Sequence, residues 1–176
     1  MTSLSKLQTK CAQDLQDKLS KWYDFLKYER SLSPHTIRAY LSDMDNFASF
    51  MQMHLGKEVS INDLSELRIR DFRSWISNRS QTGAGAVSRA RSLSGVKNFF
   101  RWMDHQGYMH NPAIDTLSSP KLPRKLPKPL NEKQSLDLLN EAGLLEKHDW
   151  IGMRNRALFT LLYGAGLRID EARSEE

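Results

Sequence analysis

Cysteine is almost absent. Cys11 is the only one in 176 residues, so an intramolecular disulfide is impossible and a cysteine-rich zinc site has no ligand set to build on. Proline is scarce outside one segment: Pro34 stands alone in the first 110 residues, and Pro112, Pro120, Pro123, Pro127 and Pro129 crowd into 111–130. No apolar run approaches the ~18 residues needed to span a bilayer, and the longest candidate, Ala157 to Leu167, is well short. The N-terminus, MTSLSKLQTKCAQDLQDK, lacks the apolar core of a secretory signal. These gaps point to a soluble cytoplasmic protein without a membrane segment, and no metal or cofactor is expected. Hydrophobic residues at 39% and charged ones at 27% exclude a disordered chain.

What the sequence does have is unevenly placed positive charge. The formal net charge is +5. The whole basic excess lies before residue 131, and from there acids outnumber bases. Such asymmetry suits a polyanion, because Lys and Arg that neutralise phosphates release condensed counterions.

Apolar residues in 1–110 recur at three and four, the period of helices with one buried face. Leu15, Leu19, Trp22 and Leu26 mark a first helix. A second opens at Ser33-Pro34, an N-cap followed by a first-turn proline. It carries Ile37, Tyr40, Leu41, Met44, Phe47, Ala48, Met51 and Leu55 to a stop at Gly56. A third spans about Ser65 to Ser80, and a fourth runs from the Gly83–Gly85 turn to about His105. The expectation is an all-α, four-helix domain over 1–110. Residues 111–130, where proline alternates with Lys, Arg and Leu, read as an extended, semi-rigid linker. After it, 131–176 predicts three helices, the first opened by a capping box at Asn131–Gln134. That is too little for an independently stable domain, and it reads as the opening of a second one.

The second and fourth helices have informative outer faces. On the second, His35, Thr36, Arg38, Ala39, Ser42, Asn46 and Ser49 lie opposite the apolar stripe, with Asp43 and Asp45 on the flanks, where they would have to point away from phosphate. On the fourth, Ser88, Arg91, Ser94, Gly95, Lys97, Asn98, Arg101 and His105 gather without an acid until Asp104, and Trp102 falls on the same outer side. Arg, Lys, Asn and Ser are the types that contact phosphates and base edges in a major groove. Taken alone, the second helix reads as readily as a solvated polar face. The fourth is sharper, because exposed helices normally mix charge signs.

Four stretches then carry a resemblance: Tyr28–Asp43 (YERSLSPHTIRAYLSD), Ala90–Trp102 (ARSLSGVKNFFRW), Asn111-Pro-Ala with Pro120–Pro127 (PKLPRKLP), and Leu161–Ala172 (LLYGAGLRIDEA). In order and at these spacings they resemble the tyrosine recombinases of the Xer type. The resemblance implies a SAM-like core-binding domain that clamps one side of duplex DNA through its second and fourth helices, followed by a catalytic domain. The implied chemistry is phosphoryl transfer through a phosphotyrosyl link, with cations stabilising the developing phosphate charge and no metal. Arg168 matches the first catalytic arginine, and Glu171 the acidic residue that supports it. Asp170 departs from the family's usual serine there. His35, Thr36, Arg38, Ser42, Asn46, Ser88, Arg91, Ser94, Lys97, Asn98 and Arg101, with Lys121, Arg124 and Lys125 of the linker, are the expected DNA contacts. The family's later lysine, His-x-x-Arg box and nucleophilic tyrosine have no counterpart after Arg168, and His35-Thr-Ile-Arg38 sits in the wrong domain to supply one. The expectation is a monomeric DNA-binding portion, inactive alone, whose full-length form would join a sister recombinase in a heterotetramer. The alternatives are a phage or mobile-element integrase, and a helical protein-interaction module with an exposed apolar patch around Trp102.

Overall fold

The computed structural model describes residues 3–118, 129–142 and 148–172. The chain enters the fold through a six-residue helix, α1 (Ser3–Gln8), which the apolar spacing did not reveal and which buries Leu7. The first expected helix is α2 (Gln13–Asp24), burying Leu15, Leu19 and Trp22, and it ends in a π-helical turn, Phe25–Glu29, that keeps Leu26 inward. Helix α3 (Pro34–Leu55) begins as the sequence predicts: the Ser33 side chain accepts from the Thr36 N–H, and Pro34 fills the first turn. It stops at Gly56, whose φ of 72° lies in the left-handed region that a glycine occupies without strain.

The expected third helix is split. Ser60 and Asp63 form a capping box that starts α4 (Ile61–Glu66), the chain turns extended at Leu67 and Arg68, and α5 (Ile69–Gln81) follows. Helix α6 (Ala86–His105) is the fourth expected one. The four long helices therefore stand in the expected order, joined by two short ones, and among the described residues there is no β-strand, only an isolated bridge between Cys11 and Val59.

The core is aromatic. Phe47 of α3 stacks on Phe72 at 5.9 Å and meets Trp75 and Phe100 edge-on at 5.1 and 6.0 Å, which ties α3, α5 and α6 together. Trp22 meets Phe99 edge-on at 5.1 Å and brings in α2. Trp102, on the outer side of α6 by helical period, packs on other elements: it is 7% exposed, against Phe25, Phe99 and Tyr108.

The chain divides into two compact units, Met1–Pro123 and Arg124–Glu176. Residues 111–117, placed by sequence at the head of the linker, are folded onto the first unit. The buried Asn111 amide donates to the carbonyls of Leu64 (2.7 Å) and Leu67 (2.9 Å), its oxygen caps a short 3-10 turn, Pro112–Ile114, and Ile114 and Leu117 are buried. In the second unit, α7 (Glu132–Glu141) opens with the expected Asn131–Gln134 capping box. Helix α8 (Asp149–Ala165) runs to Gly166, and a single turn, α9 (Ile169–Ala172), follows.

Candidate nucleic-acid interface

Helices α3 and α6 cross at Asp43 and Gly95. A Cβ on Gly95 would lie 3.2 Å from the Asp43 Cβ and 3.3 Å from its Oδ2, so this glycine is what lets the backbones approach. Gly95 is accordingly buried, not outward as its position on the helical period suggests. From this crossing the exposed side chains of both helices fan out. On α3 they include His35, Arg38 and Ser42, and on α6 they include Arg91, Ser94, Arg101, Asp104 and His105. The Arg91 guanidinium, on a side chain 61% exposed, leans back so that its Nε lies 3.7 Å from Asp43 Oδ2. Arg91 and the neighbouring Ser42 therefore flank one seam.

The other predicted contacts sort into three groups. At the start of α3, Arg38 Nη2 lies 3.2 Å from His35 Nδ1 while its Nε donates to the Pro34 carbonyl, and the half-buried Thr36 serves the helix cap. Along α6, the Ser94 hydroxyl donates to the Ala90 carbonyl, and Ser88 is half-buried. Two cations are engaged with the segment that follows α6: Lys97 donates to the Leu117 carbonyl at 2.8 Å, and Arg101 pairs with Asp115 at 3.5 Å.

Asn46 and Asn98 are corrections. Both were expected outward, yet each is half-buried and accepts an indole N–H, Asn46 from Trp75 at 3.3 Å and Asn98 from Trp22 at 3.2 Å. A buried indole N–H needs an acceptor, and these two amides supply it. Lys121, Arg124 and Lys125 lie outside the described residues.

The two acids of α3 turn away from these exposed side chains, whereas Asp104 of α6 stays exposed, 3.0 Å from His110 Nδ1. Asp45 stands 3.9 Å from Lys6 of α1 and pairs with Lys10, just past that helix. Asp43 is buried, 2% exposed. Sequence reasoning missed what surrounds it. Ser92 donates to Asp43 Oδ1 at 2.7 Å, and Arg79 of α5 donates to the Ser92 oxygen at 2.9 Å. The only signal was a serine inside a run of apolar positions.

In the second unit Arg168 is exposed, and Glu171 does not touch its guanidinium: the carboxylate accepts the Arg168 backbone N–H at 2.7 Å and caps α9. Among the described residues no group of three or more His, Cys, Asp or Glu could hold a metal, and no helix is long and apolar enough to cross a membrane. Trp102, around which a protein adaptor would need an exposed apolar patch, is itself covered.

Comparison with known proteins gives this face a context. No solved structure matches the chain. Among curated proteins, it is 47% identical over 162 residues to a tyrosine recombinase XerC of Rhodospirillum centenum, covering 92% of the chain and 48% of the relative. The XerC of Mesorhizobium japonicum is 38% identical over 159 residues (90% and 51%), and that of Agrobacterium fabrum 34% over 169 (96% and 54%). The chain thus spans about half the length of the curated relatives it matches. The model of the phage integrase N-terminal SAM-like domain matches residues 19–107, a stretch that runs from within α2 to just past α6 and contains both helices of the seam. With half its length inside that match, the chain belongs to the phage-integrase SAM-like family, among the tyrosine recombinases.

Proposed function

We propose that the first unit binds duplex DNA along the α3–α6 seam and is the DNA-clamping portion of a site-specific tyrosine recombinase of the XerC kind. The observation that carries this reading is the exposed flank of α6, where Arg91, Ser94 and Arg101 follow one another with no acid between them, beside the exposed His35, Arg38 and Ser42 of α3. Five donors in a fixed fork suit Arg91 and Arg101 to phosphate or to a guanine edge. Short serines between them let a backbone come close.

The relatives' name extends the reading. In a longer protein, residues 131–172 open the catalytic domain, with Arg168 placing its guanidinium on the reacting phosphate and Glu171 fixing the turn from which it projects. Such a protein works on chromosomal DNA in the cytoplasm, with a sister recombinase on the other half of the site. Off DNA, this chain is a monomer.

A shift assay with short duplex DNA tests the core of the proposal. Binding at low salt should fall steeply as salt rises, and Arg91→Ala combined with Arg101→Ala should weaken it well over tenfold, more than Arg91→Ala alone, as expected for the loss of two phosphate contacts. A chain that leaves duplex DNA unshifted at low salt, or a double variant that binds as well as wild type, overturns the seam as the docking face.

A further inference from the structure

A carboxylate at the centre of an anion-binding seam needs an explanation. Asp43 is 2% exposed at the crossing of α3 and α6. Its Oδ1 accepts from Ser92, which in turn accepts from Arg79. Among the described residues its Oδ2 is buried without a hydrogen-bond partner. A buried carboxylate with half its accepting capacity unmatched is strongly unfavourable unless a cation attends it. Among the described residues the cation facing Oδ2 is Arg91, whose Nε lies 3.7 Å away. That contact uses the Nε edge of the guanidinium. The two Nη groups, with no partner among the described residues, remain on the exposed side of the seam. The close fit at Gly95 leaves the carboxylate no room to turn away.

We propose that Asp43 is a positioning residue for DNA binding: from inside the helix crossing it aims the Arg91 guanidinium outward, while Ser92 and Arg79 lock the carboxylate from behind. This rests on the reading of the seam as a DNA interface. The arrangement resembles a ligand's outer support, in which a buried partner fixes the orientation of the group that makes contact. An arginine free to swing loses side-chain entropy on binding a phosphate, whereas one already held loses less. Removing the Asp43 charge should therefore make the Arg91 contribution small even though the protein becomes more positive.

The experiment is a double-mutant cycle on the full chain, read as duplex-DNA affinity against salt. Arg91→Ala in the wild-type background should weaken binding about tenfold and lower the salt slope by about one. In the Asp43→Asn background the same substitution should weaken binding less than about twofold, with the slope nearly unchanged. A purely structural Asp43 would lower the melting temperature and leave the Arg91 increment at its full size in both backgrounds, and that result overturns the proposal. Gly95→Ala, which pushes on Oδ2 without altering any charge, should shrink the Arg91 increment in the same way. NMR of the wild-type chain needs no variant: the Arg91 Nε–H should be markedly more ordered than that of the exposed Arg73 in free protein, and equal mobility of the two overturns the proposal. A wild-type chain that does not bind duplex DNA at all defeats the DNA reading itself. One that binds, with the Arg91 increment unaltered by Asp43→Asn, defeats only the role of Asp43.

Discussion

At the scale of single residues, the side chains that decide this structure are polar groups turned the wrong way for a simple amphipathic reading. Asn98 shares a helical line with Arg91, Ser94, Arg101 and His105, yet its oxygen belongs to Trp22. Replacing it by alanine leaves a buried indole N–H without an acceptor, for which the expected loss is about 1–3 kcal/mol. Asn98→Ala should thus lower the denaturant midpoint while duplex affinity at matched folded fraction changes little. A large affinity loss with unchanged stability would return Asn98 to the DNA face. Cys11 illustrates the same point on the apolar side. Burial pushes its thiol up to about 12, only partly countered by the Lys10 ammonium. Because the thiolate is the reactive form, a thiol reagent at pH 8 should label native protein far more slowly than protein in denaturant. Equal rates would mean that the α1–α2 junction opens readily. Helical periodicity placed Trp22 inward correctly. It missed the Trp22–Asn98 contact because that joins two elements 76 residues apart, a separation no local pattern encodes.

At the scale of elements, legibility followed length and chemistry. Both ends of α3 could be read directly, since Ser33-Pro34 and Gly56 are local devices with their own geometry. The four long helices were legible because an apolar face repeats over several turns. Helices α1 and α4, six residues each, are too short for a period to be counted, and such short helices hold only through tertiary packing. The fold of α4 shows how. Its C-terminal carbonyls have no intrahelical donors, and the Asn111 amide, from a segment that reads as linker, reaches back to Leu64 and Leu67. Asn111→Ala should destabilise the first unit by about 1–3 kcal/mol, seen as a lower midpoint in urea. Hydrogen exchange should rise first in residues 61–67. A midpoint unchanged within error would show that water replaces the amide without loss. The linker reading failed here because proline at 112 was taken as the mark of an extended chain, whereas it occupies the first position of a 3-10 turn.

At the scale of the whole molecule, two consequences follow from charge and from the distribution of apolar surface. Burial alone would raise the Asp63 and Asp71 carboxyls, but other contacts outweigh it. Lys57 and Ser60 hold Asp63 below its ordinary value, and the Arg68 backbone N–H with His54 and Arg70 does the same for Asp71. A carboxyl depressed in the folded state binds protons more readily when unfolded. Its stabilisation is present above the ordinary value of 3.8 and is lost as pH falls through the folded value. The first unit should therefore keep its melting temperature from neutral pH down to about 5 and lose it steeply below about 4. Asp63→Asn and Asp71→Asn together should flatten that drop.

The two units differ most in where their large apolar side chains go. The first encloses Trp22, Phe47, Phe72, Trp75 and Phe99 almost completely. Among its described residues the second leaves Leu130, Leu136, Leu138, Trp150, Met153, Leu161, Tyr163, Leu167 and Ile169 exposed, buries Ser135 and Ala142 with Gly152, and half-buries Leu139, Ile151, Leu158, Phe159 and Leu162. Helices with so small a buried face have little to oppose the conformational entropy of unfolding. Stability should accordingly be unequal along the chain. Dilute protease should cut within residues 129–172 well before it cuts α2 to α6, leaving a resistant fragment that carries α1 to α6 and residues 111–117. That fragment should melt cooperatively, at nearly the temperature of the main transition of the intact chain, and should retain the affinity of the seam for duplex DNA. A dye that fluoresces on apolar surface should bind the intact chain and be largely lost with the cleaved segment. If the segment after residue 129 instead resists as long as α3 and α6 do, its apolar side chains are covered in solution, and the inequality between the units falls.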